Sequence, residues 1–277
     1  MSEHVGLRGK AWFTAFTGVD SPSRIDPASV LAVNAALGTE TALFLCVIPN
    51  AESRFPCVRD GQVGLEEAYA LAARIRQAVA EDANRPRSQK RPIVAIVDVK
   101  SQAYGRREET AGIFFAAAVS ADAYASARMV GHPVISFIPG QAFSGGFLTH
   151  GYQANRILAL DDEGVVIHAM HKEAAARITR RSVEELEILG HEIAPLSYNV
   201  HDFAKLGLLF RLLHVHDPLH PTADEIAYVA QALLDASHDA RNSPTDLRSR
   251  RESEEAKLTR KVGNAVRAAL EAQWDNV

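Results

Sequence analysis

Three short apolar runs set the strongest limit on how this chain can fold. "TALFLCVIP" (Thr41–Pro49), "IVAIVD" (Ile93–Asp98) and "PVISFIP" (Pro133–Pro139) show no alternation of polar and apolar residues. A strand with one wet face would alternate. These runs read instead as strands buried on both faces, the pattern of a parallel sheet covered by helices. The intervening segments supply the cover. "GLEEAYALAARIRQAVAE" (Gly64–Glu81) sets Leu65, Ala68, Leu71, Ala72, Ile75 and Val79 at helical spacing, and "AGIFFAAAVSADAYASARM" is an alanine-rich helix. "RILALD" and "GVVIHA" read as two more strands split by the turn "DDEG". Strands alternating with helices define an α/β class with right-handed crossovers.

The second half continues the alternation. "HKEAAARITRRSVEELEIL", starting at His171, reads as one helix, "DFAKLGL" as a short helical turn, and "LFRLLHVH" as a strand. Thr222, with Glu225 three residues on, marks the capped start of a long helix. "SHDARNSPTD" reads as a linker. Leu247 to Trp274 then reads as one charged amphipathic helix, with Leu258, Val262, Val266, Leu270 and Trp274 along one face. The expected organisation is a domain over 1–240 and a C-terminal amphipathic helix over 241–277, whose stripe needs this domain or a partner to bury it.

Composition narrows the function classes. A net charge of −4 gives no basic footprint for nucleic acid. No apolar stretch approaches the ~20 residues of a membrane helix, and "MSEHVGLRGKAWFTAF" lacks a secretory core. Two cysteines, Cys46 and Cys57, are too few for a disulfide framework and suit a reducing cytoplasm.

Two loops follow apolar strands and open helices, Val99 to Thr110 and Gly140 to Thr149. The second contains "GQAFSGGFLTHG". Amides at a helix start lack intrahelical acceptors, and glycine lets a substrate approach them. Gly145 and Gly146 therefore read either as an oxyanion-binding pair or as a tight, closely packed strand-to-helix turn. Ser144 reads as a helix N-cap or as a nucleophile on a relaxed elbow, with Asp161 or Asp162 and a later histidine as partners. Against the elbow, Pro139-Gly140 ends the strand several residues earlier, and Ala142 stands where an elbow has glycine. His150 reads as a proton donor or as an ordinary helix residue. His168, His171, His214 and His216 invite a metal reading without a carboxylate–histidine motif to support it, so no metal is expected. Arg177, Arg180 and Arg181 form a solvated face or one for a phosphate or acidic carrier.

"GQAFSGGFLTHG" resembles the glycine-rich segment of the carboxyltransferase branch of the crotonase superfamily. "IVDVKSQAYGRREETAGI" resembles that branch's other segment, and "VVIHAMHKEAAARITRR" its downstream pattern. "SRFPCVRDGQVGLEEAYALA" and "SGGFLTHGYQANRILALDDEGVVIHAMHKE" are similar to the gamma subunits of biotin-independent malonate decarboxylases in particular. The resemblance spans roughly Thr41 to Ala236.

It implies a crotonase/ClpP-like spiral of ββα units, pairing with a homologous beta subunit, and an active site between the two. The implied substrate is a malonyl thioester on an acyl-carrier protein with a coenzyme-A-like phosphopantetheine arm, loaded by an acyl-transferase alpha subunit. No cofactor would be bound by this chain itself. Gly145, Gly146, Ser144 and His150 take the catalytic positions, and Gln141, Phe147, Tyr152, Tyr104 and Gly105 line the substrate. His150, Tyr152 or a partner residue would supply the proton. Two departures stand out. Val99-Lys100-Ser101-Gln102 replaces the Pro-Gly usual in the first loop, leaving Gly105 as its amide source, and Phe147 replaces alanine. The alternatives are the alpha half of a biotin-dependent carboxyltransferase, a non-catalytic carrier-binding subunit and a serine hydrolase.

Overall fold

The structure is a computed structural model and describes residues 5–274. Its eight strands in chain order are β1 (Val30–Leu37), β2 (Glu40–Val47), β3 (Ile93–Ile96), β4 (Val134–Ile138), β5 (Gln141–Phe143), β6 (Arg156–Leu160), β7 (Val166–His168) and β8 (Arg211–Leu213). Six of them form the main sheet in the order β1-β2-β3-β4-β6-β8, and β5 and β7 form a second, two-stranded sheet. From β2 to β8 every pairing in the main sheet is parallel. All residues of β3, β4 and β6 are buried, which is why their sequences carry no alternation.

The helices are α1 (Leu7–Thr17), α2 (Leu65–Glu81), α3 (Arg106–Thr110), α4 (Ile113–Met129), α5 (Ser144–Thr149), α6 (Lys172–Thr179), α7 (Val183–Glu192), α8 (Val200–Lys205), α9 (Ala223–Asn242), α10 (Ser249–Glu252), α11 (Glu254–Thr259) and α12 (Lys261–Trp274). The repeating turn is a main-sheet strand, a short strand in the second sheet and a helix: β4-β5-α5, then β6-β7-α6. This is the ββα spiral that the resemblance implies.

The structure adds two elements ahead of Thr41 and corrects two helices. α1 buries Trp12, whose ring meets Phe137 edge-on at 5.3 Å and whose Nε1 donates to Pro218 O at 2.8 Å. β1 pairs antiparallel with β2, from Val30 opposite Val47 to Leu37 opposite Glu40. The helix expected from His171 is two helices. Arg180 leaves the helical region at φ 56°, and Ser182 starts α7 with a reciprocal Ser182–Glu185 cap. Thr222 and Glu225 cap α9 as expected.

The helix expected over Leu247–Trp274 is three. Ser253 turns the chain and accepts from Ala256 N at 3.1 Å, and Arg260 breaks it again. The segment before α12 is fastened to the body, for Arg156 donates to Ser249 Oγ at 3.1 Å and Arg250 is buried. Among the described residues nothing covers the stripe, and Leu258, Val262, Val266, Leu270 and Trp274 are 65%, 79%, 55%, 57% and 79% exposed. Among the described residues, no helix is long and apolar enough to cross a membrane. No cluster of three His, Cys, Asp or Glu side chains is placed there to hold a metal.

Candidate active site

After β4 the chain bends at Pro139-Gly140 and enters β5, which runs straight into α5. Val99, just past β3, holds β5 in place: its N–H donates to Gln141 O at 2.7 Å, and its carbonyl accepts from Phe143 N at 3.3 Å. The buried Asp98 carboxylate accepts from Gly9 N at 3.1 Å and Gln141 N at 2.9 Å. Burial raises its pKa, while those backbone donors act in the opposite direction. One carboxylate thus ties α1, the end of β3 and the start of β5 together. The sequence shows Asp98 only as the residue that closes a strand.

Ser144 is not the helix cap that its position suggests. The cap is Phe143, and no side chain caps α5. Ser144 has φ 54°, a left-handed conformation that costs free energy for a residue with a Cβ. β4 does end ahead of Pro139, but the short strand β5 lies between that break and Ser144 and runs directly into α5, so a strand-to-helix elbow exists. Its catalytic partners do not converge. Asp162 pairs with Arg8 at 2.6 Å. Asp161 pairs with His201 at 2.8 Å on the wall of a large cavity whose lining omits Ser144. Among the described residues, no hydrogen bond joins Ser144 Oγ to a base.

The glycine pair has a definite environment. Gly145 N–H donates to Gln102 Oε1 at 2.9 Å. A carbonyl-type oxygen from the chain's own first loop therefore occupies this amide. A Cβ on Gly146 would stand 2.5 Å from the Ser101 carbonyl carbon and oxygen. Only glycine lets the two loops touch there. Close packing and an anion-facing amide are thus compatible readings of adjacent residues. The helix start is anchored from behind. Thr149 Oγ1 donates to Gly145 O at 2.6 Å and Ser120 Oγ to Thr149 O at 2.8 Å. Sequence reasoning missed Gln102; its only trace is the departure at Val99–Gln102.

His150 does not reach this cradle. It is fully buried, its Nε2 donating to Ile96 O at 2.9 Å and its Nδ1 accepting from Tyr124 OH at 2.9 Å. Burial lowers its pKa to about 4, so the ring is neutral. We therefore reassign it from proton donor to structural pin of α5. Because its folded pKa lies below the unfolded value near 6.5, its contribution to stability is complete above that value. It is lost as pH falls towards 4, by roughly 3 kcal/mol. Urea titrations at pH 7, 5.5 and 4.5 should show a one-proton slope that His150→Asn lacks; equal slopes in both proteins would refute the assignment.

The remaining residues divide between two sides. Phe147 is buried and meets the Tyr152 ring edge-on at 5.2 Å. Tyr152, three residues past α5, lies under the Arg250 guanidinium at 5.3 Å. Gln141 lines a cavity of about 1000 Å³ with Lys100, Phe143, His171 and Tyr198. His171 stacks on Phe143 and His168 on Tyr198, each at 3.9 Å. Tyr104 is exposed, and Gly105 begins α3 with extended backbone. Arg177, Arg180 and Arg181 are exposed.

A ββα spiral with a glycine pair at a strand-to-helix turn defines a crotonase-type fold of the carboxyltransferase kind. The model of the malonate decarboxylase gamma subunit family (MdcE) matches residues 58–274. The chain belongs to that family of decarboxylase subunits. It is 46% identical to a chain of a Pseudomonas malonate decarboxylase hetero-tetramer crystallised with coenzyme A, with a TM-score of 0.89 over 95% of this chain and 99% of that one. It is 45% identical to a chain of the Pseudomonas MdcD-MdcE hetero-dimer, with a TM-score of 0.87 over 96% and 99%. It is also 32% identical to the malonyl-S-ACP:biotin-protein carboxyltransferase MADD of Malonomonas rubra, over 69% of this chain and 66% of that protein, just under two thirds of its length.

Proposed function

We propose that this chain supplies one half of a site that decarboxylates a malonyl thioester, and that a homologous beta subunit supplies the other. The observation that carries the reading is the Gly145 amide holding a carbonyl-type oxygen at 2.9 Å, within the range a donor needs to stabilise an oxyanion. In the reaction the bond between the carboxylate and the α-carbon breaks and CO₂ leaves. The electron pair becomes the enolate double bond, and the charge settles on the thioester oxygen. That oxygen takes the place of Gln102 Oε1, with the Gly146 amide beside it in the same helical turn. Protonation of the α-carbon gives the acetyl thioester. Both ring nitrogens of His150 are engaged, and the Tyr152 ring is packed between Phe147 and Arg250, so the proton is assigned to the partner.

The substrate arm is read as phosphopantetheine on an acyl-carrier protein, charged by an acyl-transferase alpha subunit. The Malonomonas relative is named for malonyl-S-ACP, and the Pseudomonas complex held coenzyme A, which supports a thioester of this type. No cofactor is assigned to this chain, and a cytoplasmic location belongs to the same reading. The competing reading is biotin-dependent carboxyl transfer, the reaction in the Malonomonas protein's name.

The test reconstitutes this chain with its beta subunit and follows CO₂ release from malonyl-carrier. Turnover without any biotin protein is expected, and an absolute requirement for one would select the carboxyltransferase. In the same assay Gln102→Ala should lower KM roughly 3- to 10-fold at unchanged kcat, since substrate no longer displaces a hydrogen bond worth ~0.5–1.5 kcal/mol. A fall in kcat instead would mean that Gln102 organises the site rather than guards it.

A further inference from the structure

A second cavity, of about 370 Å³, is lined by Tyr152, Asp246, Arg248, Arg250, Arg251 and Arg260 among others. Four guanidiniums face one carboxylate there. Arg248 already occupies that carboxylate, with Nε and Nη2 each 2.8 Å from Asp246 Oδ2.

Arg250 is the unusual member. It is 5% exposed, yet it makes no ion pair among the described residues. Its Nη1 donates to Tyr152 O at 2.8 Å and its Nη2 to Ala154 O, both neutral carbonyls. Its Nε is buried without a hydrogen-bond partner. Burial lowers its pKa to about 10, and the neighbouring Arg128 and Arg156 act in the same direction. A buried cation without a counter-ion is unfavourable unless something supplies the charge.

Two more cations complete the wall. Arg260 gives its Nε to Leu206 O at 2.8 Å, and neither it nor Arg251 forms an ion pair among the described residues. Guanidinium forks match phosphate oxygens, forming short charge-assisted hydrogen bonds. Carbonyl oxygens alone would not call for several forks around an open space.

We propose that this cavity binds the phosphate groups of a phosphorylated ligand, a diphosphate or a phosphate ester. The site is separate from the glycine cradle and does not depend on the decarboxylation reading. Tyr152 joins the two regions, since its ring carries Arg250 on its face and meets Phe147 of α5.

The test uses the reconstituted complex with the beta subunit and inorganic pyrophosphate as the probe, followed by calorimetry at low salt and in matched chloride. Wild type should bind with a Kd below about 1 mM. Arg251→Ala/Arg260→Ala, which removes two partly exposed lining groups and spares Arg250, should bind at least ~10-fold more weakly while keeping the near-UV circular dichroism and complex size of wild type. Equal binding by the variant overturns the proposal. So does the absence of binding by wild type, the result expected if a carboxylate of the partner fills the cavity in the complex. Competition separates the sources of phosphate. If coenzyme A displaces pyrophosphate from wild type, the ligand is a coenzyme-type arm. If only orthophosphate displaces it, the ligand is free phosphate. Either result supports the site.

Discussion

Gly146→Ala in the reconstituted complex is expected to lower kcat for malonyl-thioester decarboxylation roughly 10²- to 10³-fold, with KM changed far less. The added Cβ would stand 2.5 Å from the Ser101 carbonyl carbon and oxygen. Both neighbours are backbone, so no side chain can swing aside, and the loops must part by about an ångström. The amides of the first α5 turn move with them. Losing one aligned oxyanion donor costs roughly 2.7–4 kcal/mol of barrier, which gives the stated range. Gly145→Ala makes an instructive contrast. Its Cβ would meet the Gln102 side chain, with Oε1 at 2.8 Å, and that side chain can rotate away. A loss of roughly tenfold or less is expected there. Near-UV circular dichroism and complex size must match wild type for the comparison to stand. Full activity in folded Gly146→Ala would remove the oxyanion role and favour a carrier-binding subunit without chemistry of its own.

Phe114→Asp/Phe115→Asp is expected to prevent assembly with the beta subunit, weakening association by at least ~10³-fold. These rings are 59% and 63% exposed and lie 4.2 Å apart at the start of α4, just after α3. Tyr104 and Leu148, on the loop before α3 and on α5, are exposed as well. Neighbouring aromatic side chains left in water mark a surface that another protein covers. Central aromatic anchors are worth about 2 kcal/mol or more each, and a carboxylate in their place adds a desolvation cost. Light scattering of the mixed subunits measures the outcome directly. Unchanged assembly would move the interface elsewhere, and Val266→Asp/Leu270→Asp on α12 would then test the exposed stripe in the same way.

Much of this molecule was legible before any coordinates. Runs such as Ile93–Val97 and Val134–Ile138 have one physical solution, burial on both faces, so the parallel sheet follows from them. The Thr222–Glu225 cap depends on residues three apart and was readable for that reason. Elements were lost where local pattern is weak or misleading. β1 carries polar and partly exposed positions among small residues, and the break at Arg180 rests on a single backbone dihedral. The site followed the same division. The glycine pair and its strand-to-helix context were visible as a string. His150 looked like a proton donor because it lies four residues past Gly146, but its ring points into the sheet, towards Ile96 and Tyr124.

By itself the sequence determined an α/β chain with a glycine pair after Ser144 at a strand-to-helix turn, in motifs that resemble those of the malonate decarboxylase gamma family. Apolar periodicity and short motifs are local properties, and those conclusions needed nothing more. Only the tertiary structure decided what meets that turn. Ser101 and Gln102 lie more than forty residues before the glycines and reach them because β3 and β4 are parallel neighbours. Tertiary packing likewise turns His150 inwards and sets Arg250 over the ring of Tyr152, nearly a hundred residues away in sequence. Contacts made across a sheet depend on register and crossover, and no local pattern encodes them.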